Sequence, residues 1–162
     1  MAVNVRTASA ADLSVLIRLN QIVQNLHAAL YPEDFKEVAD PSAVEAFFAE
    51  RLIDPKCAIG IAEADGVPVG YVWFELQVRP ETPFTPSRQR IYVHHVSVAP
   101  EALRRGIATA LLYFVEQRAA SENIHEIALD TWSANLDAQH FFGSLGFVPL
   151  RIGLRKRLSG GR

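Results

Sequence analysis

The 162-residue sequence contains a single cysteine, Cys57, and little net charge of either sign. One thiol can form neither a disulfide framework nor a thiolate metal cluster, and such usage is typical of a reducing compartment. Sixteen basic and 18 acidic residues leave a formal charge of −2, which lacks the broad basic field of nucleic-acid-binding proteins. No stretch approaches the roughly 20 apolar residues that span a bilayer, and the N-terminus has no apolar signal core. We therefore expect a cytoplasmic, unprocessed protein with no metal site and no nucleic-acid or membrane partner.

The sequence does contain enough apolar residues for a substantial core, at 49% of its length. A chain of this size rarely divides in two, so we expect one domain over residues 1–158 and a flexible tail over 159–162. Helical spacing, capping residues and alternating runs predict the element order strand, two helices, three strands, helix, strand, helix, strand. The predicted bounds are strand 3–6, helices 9–29 and 41–53, strands 57–64, 67–78 and 91–98, a helix from about 107, strand 124–130, helix 135–145 and strand 147–158. This order indicates an α/β (α+β mixed) fold, with a mixed sheet and helices on its faces.

The strand-to-helix junction in VSVAPEALRRGIATALL is the first candidate for chemistry. Several amide groups at the start of the helix would point at one spot, and such a spot attracts a pyrophosphate. Gly106 allows a ligand to approach the backbone, and Arg104 and Arg105 add positive charge. The alternative is that Gly106 only eases a turn and that the arginines are solvated.

The segment TWSANLDAQHFFGSLGF adds a second pattern, with Asn135, Ala138 and Phe141 on one helical face. Together the two segments resemble the GNAT acetyltransferase family, in which V-x-V-x-P and Q/R-x-x-G-x-G/A precede N-x-x-A-x-x-F-Y-x-x-L-G-F. The resemblance implies a twisted mixed sheet of about six or seven strands flanked by about four helices. It also implies an N-acetyltransferase that uses acetyl-CoA as donor.

The resemblance assigns residues to the cofactor. The pantetheine arm would pair with the backbone of Val96, Ser97 and Val98 as a further strand. Asn135 would hydrogen-bond the arm, with Ala138, Phe141 and Phe142 beside it. The amides that would hold the pyrophosphate are those of the junction, namely Arg104, Arg105, Gly106, Ile107, Ala108 and Thr109.

Two positions depart from the family pattern. Leu103 replaces the usual Gln or Arg, which removes a side-chain contact but no backbone amide. Phe142 replaces a Tyr whose hydroxyl is commonly assigned to protonating the departing thiolate, and Phe has no proton to give. A thiol with a pKa of about 8.5 can still leave as its anion, so this change is compatible with turnover.

Catalysis requires removal of a proton from the acceptor ammonium, and His94 is the favoured base. By resemblance, His94 falls where arylalkylamine N-acetyltransferases carry a proton-relaying histidine, and Tyr92 falls where histone-type members carry a catalytic Glu. Strand alternation would place His94 and His95 on opposite faces, so only one of them could serve. Glu75 on the neighbouring strand is a second candidate base. The alternative is that these side chains are hydrogen-bonded or solvated sheet residues.

The acceptor is expected to be a small-molecule or peptide amine bound near the loop 27–36, where Tyr31, Glu33, Asp34 and Phe35 offer aromatic and acidic groups. Sheet edges make a homodimer plausible. Two other readings of the sequence remain open. One is a non-catalytic acyl-CoA-binding sensor or interaction module with the same fold, and the other is a plain α/β interaction domain that binds no CoA.

Overall fold

The computed structural model describes residues 2–158, and the chain divides into two compact units at the Asp130–Thr131 boundary. The predicted tail, 159–162, lies outside the described residues. The strands and helices of the first unit follow one another in the predicted order. They are β1 (Val3–Thr7), α1 (Leu13–Leu30), α2 (Pro41–Ile53), β2 (Cys57–Ala64), β3 (Val67–Arg79), β4 (Arg88–Val98), α3 (Ile107–Ser121) and β5 (Ile127–Leu129).

The five strands form one mixed sheet in the order β1-β2-β3-β4-β5. Neighbouring strands from β1 to β4 are antiparallel, and β5 pairs with β4 in parallel over Ile91–Val93. The helix α3 connects β4 to β5, so these two parallel strands and the helix form a β-α-β unit. The predicted mixed α/β class is confirmed.

Local sequence chemistry accounts for the ends of several elements. Asp65 and Gly66 both adopt positive φ, at 50° and 81°, as the two-residue hairpin turn between β2 and β3 requires. Asp40 caps α2 by accepting a hydrogen bond from the Ser42 amide at 3.2 Å, with Pro41 as the first helical residue. The Ser9 amide donates to Asp12 Oδ2 at 2.8 Å, and this pair begins a 3-10 turn that leads into α1.

Helices cover both faces of the sheet. On one face, α1 and α2 contact the side chains of β3 and β4: Phe48 packs edge-on against Tyr71, and Ser97 donates to the Leu19 carbonyl at 2.7 Å. On the other face lies α3, whose Phe114 contacts Phe74. Successive residues of β3 point to opposite faces, so Tyr71 and Phe74 serve two different layers of the core. Among residues 2–158, no helix is both long enough and apolar enough to cross a bilayer.

The second unit contains α4 (Leu136–Ser144), which ends as predicted before Gly146 at a φ of 89°. The predicted strand 147–158 is wrong, because these residues have no strand assignment. Their apolar side chains alternate as a strand's would, yet Leu150, Ile152 and Leu154 are 74–94% exposed. Alternation alone does not make a strand, because the backbone also needs a neighbour to hydrogen-bond with. Over residues 2–158 the sheet therefore has five strands and not six or seven.

Candidate active site

The end of β4 leads into α3 through a tight, left-handed segment. The Ala99 amide donates to the Val69 carbonyl at 2.7 Å, and a 3-10 turn over Pro100–Ala102 follows. Arg104 and Gly106 then adopt positive φ, at 59° and 78°. A non-glycine residue in this conformation is uncommon and marks a constrained segment.

The first turn of α3 offers its amides to a ligand. Intrahelical bonding begins with the Ala110 amide and the Gly106 carbonyl at 2.9 Å, so the amides of Ile107, Ala108 and Thr109 precede the first helical hydrogen bond. A Cβ built on Gly106 would have no other heavy atom within 4 Å. The space above Gly106 is therefore open, which suits an anion bound at a helix N-terminus.

Only part of the β4 edge that faces β5 is paired with another strand. Pairing with β5 covers Ile91–Val93, and no strand among the described residues continues it past Val93. On the opposite edge, Val96 and Val98 are paired with Val72 and Gly70 of β3. Backbone groups between His94 and Val98 on the β5 side are thus placed to receive an extended chain as an added strand.

A β-bulge at His94 changes the faces predicted for the two histidines. Trp73 pairs with His95 and Phe74 with Val93, so His94 is the extra residue of β4. Both imidazoles consequently contact the same indole: His94 stacks on Trp73 at 4.1 Å and His95 meets it edge-on at 4.9 Å. The expectation of opposite faces is wrong because strict alternation fails where one strand carries an extra residue.

His94 and Glu75 are close neighbours on adjacent strands of the sheet. His94 Nε2 lies 3.2 Å from Glu75 Oε1, within ion-pairing distance but outside hydrogen-bond geometry. Desolvation lowers the pKa of His94, although the Glu75 carboxylate opposes this shift. Desolvation raises the pKa of Glu75, but the hydrogen bond from Gln77 and the approach of His94 outweigh it and lower that pKa overall. At neutral pH the pair is therefore a neutral imidazole beside a carboxylate.

His95 is held by a buried network that sequence reasoning did not anticipate. Asn20 Nδ2 donates to the Tyr71 hydroxyl at 3.0 Å, and that hydroxyl lies 2.8 Å from His95 Nδ1. The tautomer of the His95 ring sets which of the two groups donates in this contact. Burial, with smaller contributions from nearby cations, lowers the pKa of His95 to about 4. At neutral pH His95 is therefore a neutral, hydrogen-bonded side chain.

Two further residues join the site only through the tertiary structure. The Tyr92 hydroxyl donates to Asp130, which follows β5. Arg51 of α2 places its guanidinium over the Phe47 ring, 3.2 Å from the centroid. The position of Asp130 directly after a strand could have indicated a site residue, whereas no sequence pattern indicated Arg51.

The predicted residues of the second unit lie on one face of α4. Asn135, Ala138, Phe141 and Phe142 are each partly buried, as the helical spacing predicted. Asn135 Oδ1 accepts from the Ala138 amide at 3.2 Å and so caps the helix. Phe142 contacts Phe141 and Phe147, with ring centroids 5.3 and 5.6 Å away.

The predicted loop 27–36 begins with the last turn of α1, which ends at Leu30, and residues 31–36 form a compact turn after it. The amides of Asp34 and Phe35 donate to the Tyr31 carbonyl at 3.0 and 3.1 Å. Phe35 lies against His27, with a centroid distance of 4.8 Å. This loop therefore folds back on α1, and its assignment to the acceptor pocket stays a prediction.

Comparison with known proteins agrees with this geometry. The model of the Acetyltransferase (GNAT) family matches residues 21–147. An N-alpha-acetyltransferase of Sulfurisphaera tokodaii is 27% identical over 156 residues, which cover 91% of this chain and 81% of that protein. A tetramutant of the BH1408 protein of Bacillus halodurans superposes with a TM-score of 0.86 at 19% identity, over 96% of this chain and 99% of that one. A predicted acetyltransferase of Clostridium acetobutylicum, solved with acetyl-CoA, gives a TM-score of 0.73 at 20% identity over 96% of each chain.

A bulged strand leads here into a helix N-terminus opened by Gly106, an arrangement suited to bind a phosphate-bearing ligand. Since the family model spans most of its length, the chain belongs to the Acetyltransferase (GNAT) family. The predicted enzyme class, an N-acetyltransferase with acetyl-CoA as donor, is confirmed by this membership.

Proposed function

We propose that the protein transfers the acetyl group of acetyl-CoA directly to a primary amine while both substrates are bound. The observation that carries the proposal is the bulge at His94. His94 lies at the point where β4 parts from β5, and Gly106 follows it twelve positions further along the chain. Base, donor site and open strand edge thus belong to one continuous segment.

The residues present fit acetyl-CoA. The pyrophosphate would bind the amides from Arg104 to Thr109, where the space above Gly106 is open. The pantetheine arm would hydrogen-bond the free edge of Val96–Val98. When bound, acetyl-CoA supplies the thioester carbonyl that the amine attacks. Asn135, which the resemblance assigns to the cofactor, accepts from the Ala138 amide through its Oδ1 and so has its Nδ2 group to offer as a donor.

His94 would act as general base. An alkylammonium near pKa 10.4 must lose a proton before it can attack, and a neutral imidazole is the group suited to take it. Glu75 lies 3.2 Å from His94 Nε2 and would stabilise the imidazolium that forms. Tyr92 would be an auxiliary group, because its hydroxyl proton is already directed to Asp130.

The thiolate would leave without a proton from the usual tyrosine position. Phe142 carries no hydroxyl and packs against Phe147. Because the pKa of a free thiol is about 8.5, the CoA thiolate is a tolerable leaving group and can take its proton from solvent after it departs. The same substitution is the one observation that favours the second candidate, a non-catalytic acyl-CoA sensor.

Calorimetric titration with acetyl-CoA tests the cofactor site, with Gly106→Glu as the test variant. Gly66→Glu is its matched control, because both glycines have φ near +80° and neither has a heavy atom within 4 Å of a built Cβ. Both variants carry the same backbone strain, but only Gly106→Glu places a carboxylate where the pyrophosphate would bind. We expect micromolar binding by the wild type and Gly66→Glu and none by Gly106→Glu.

Loss of binding in both variants, or in neither, would contradict this cofactor site. An amine screen with thiol detection then separates the two candidate functions. Release of CoA that requires an amine supports the transferase, whereas tight binding of acetyl-CoA without release on any amine supports the sensor.

A further inference from the structure

The plane of the His94 imidazole is not the plane that its ion-pair partner favours. His94 Nε2 is buried and lies 3.2 Å from Glu75 Oε1, yet the two atoms are not aligned for a hydrogen bond. Nε2 has no other hydrogen-bond partner among the described residues. Because buried polar groups are almost always hydrogen-bonded, some other contact must hold the ring out of alignment with Glu75.

Stacking on Trp73 supplies that contact. The indole and the His94 imidazole are nearly parallel, with an interplanar angle of 14° and ring centroids 4.1 Å apart. Tyr92 meets the imidazole at a larger angle, 61°, and a larger centroid distance, 4.8 Å. Two aromatic rings therefore hold the imidazole, and its plane follows the closer one.

Trp73 is itself fixed in place. Its side chain is only 7% exposed, and Phe47 and His95 meet it edge-on at centroid distances of 5.1 and 4.9 Å. Phe47 is held in turn by the Arg51 guanidinium, which lies 3.2 Å from its ring centroid. An indole confined in this way cannot turn to follow His94, so the imidazole must conform to the indole.

Ionisable groups face His94 from α2, β3, β4 and the end of β5. They are Arg51, Glu75, Tyr92, His95 and Asp130. Burial is the largest influence on the pKa of His94 and lowers it, Glu75 and Asp130 raise it, and Arg51 lowers it. Because the Arg51 guanidinium lies over the indole, 4.8 Å from its ring centroid, it would repel an imidazolium stacked on the same ring. Loss of the stack would expose His94 and let it turn to Glu75, and both changes would raise its pKa.

We propose that Trp73 is a positioning residue for the candidate base, and that it holds the His94 ring in a plane where the ring cannot hydrogen-bond Glu75. The inference rests on the proposed function, because it concerns the base of that reaction. Nε2 is buried whereas the His94 side chain as a whole is 25% exposed, so the proton of the acceptor ammonium would be taken at Nδ1. A ring turned to Glu75 would instead be favoured as the hydrogen-bonded imidazolium, which cannot act as a base.

Replacement of the stacking ring tests the proposal. Trp73→Leu removes the stack, and Trp73→Phe keeps an aromatic face. Phe74→Leu is the control, because Phe74 is equally buried on the same strand but contacts Phe114 on the opposite face of the sheet. We expect NMR titration without substrates to give a His94 pKa about 0.5–1 pH unit higher in Trp73→Leu than in the wild type. The pKa should be little changed in Trp73→Phe and Phe74→Leu.

The pH profile of kcat/KM separates positioning from a loss of packing. A rise of this size in the pKa of His94 lowers kcat/KM by about 3- to 10-fold on the acidic side of the profile and leaves it unchanged above about pH 8. A loss of packing alone would lower kcat/KM equally at every pH. The same Trp73→Leu change made in Glu75→Gln should raise the pKa of His94 less, and an equal rise there would show that the stack does not keep His94 from Glu75.

The NMR titration needs no turnover, so the two proposals can fail separately. If the pKa of His94 rises as expected but no amine is acetylated, the positioning role of Trp73 holds and the transferase proposal fails. Trp73→Met retains more volume and serves as the second variant should Trp73→Leu fold poorly. An unchanged or lowered pKa of His94 in these variants would overturn the positioning role, whether or not amines are acetylated.

Discussion

Gly70→Ala would add one methyl group at the place where β3, β4 and α3 approach most closely. The new Cβ would lie 2.8 Å from the Ser97 carbonyl oxygen, 3.1 Å from Ile107 and 3.3 Å from Leu111. The closest of these atoms belongs to the backbone, so a side-chain rotation cannot relieve the clash. Either the sheet or the first turn of α3 must shift, and that turn carries the amides of the proposed pyrophosphate site.

The magnitude follows from two opposing effects. Overpacking of a close-packed site costs about 1–3 kcal/mol, and loss of glycine flexibility in the unfolded chain returns about 0.4–1 kcal/mol. We expect a net loss of about 1–2 kcal/mol in the free energy of unfolding. For a chain of this size that corresponds to a fall in Tm of about 2–8 °C.

Thermal unfolding with and without acetyl-CoA is the assay, and Gly143→Ala is the control. Gly143 lies inside α4 with nothing within 4 Å of a built Cβ, so alanine should be neutral there or stabilise by up to about 1 kcal/mol. The stabilisation that acetyl-CoA gives should shrink in Gly70→Ala and persist in Gly143→Ala. An unchanged Tm and an unchanged acetyl-CoA shift in Gly70→Ala would refute the argument that this glycine sets the position of α3.

Two further predictions concern titration. His94→Gln should lower kcat/KM about 100-fold or more with unchanged acetyl-CoA affinity, since a general base is lost. Because burial lowers the pKa of His94, the kcat/KM of the wild type should fall only as the pH drops below about 6.5. This fall at low pH should be absent from the pH profile of His94→Gln. If the variant still shows it, another group is the base. The second concerns Asp12, whose hydrogen bonds from Arg6 hold its pKa at about 2, below an unfolded value of 3.8. The Asp12→Asn variant should therefore have a free energy of unfolding about 2 kcal/mol below that of the wild type at pH 7, as measured by urea unfolding. This difference in stability should close as the pH falls from about 4 to 2, because protonation then removes the same charge from the wild type. A gap independent of pH would show that packing, and not charge, holds Asp12.

Much of the fold could be predicted because its signals are local. Asp65-Gly66 dictates a hairpin turn, Asp40-Pro41 begins a helix, and Gly106 and Gly146 occupy left-handed positions that other residues avoid. Each of these features depends on a few adjacent residues, so the sequence displays them directly. The strand predicted at 147–158 failed for the complementary reason, because a strand needs hydrogen bonds from residues that are distant in sequence.

The candidate site divides in the same way. The sequence by itself determined the motifs, the donor class that they imply and the identity of His94 as a candidate base. Only the tertiary structure decided where His94 points, because the bulge exists only in the register between β3 and β4. It also decided the orientation of the Arg51 guanidinium, which depends on packing against Phe47. Capping and turn chemistry act between neighbours in sequence, whereas register and side-chain packing arise only when distant segments meet.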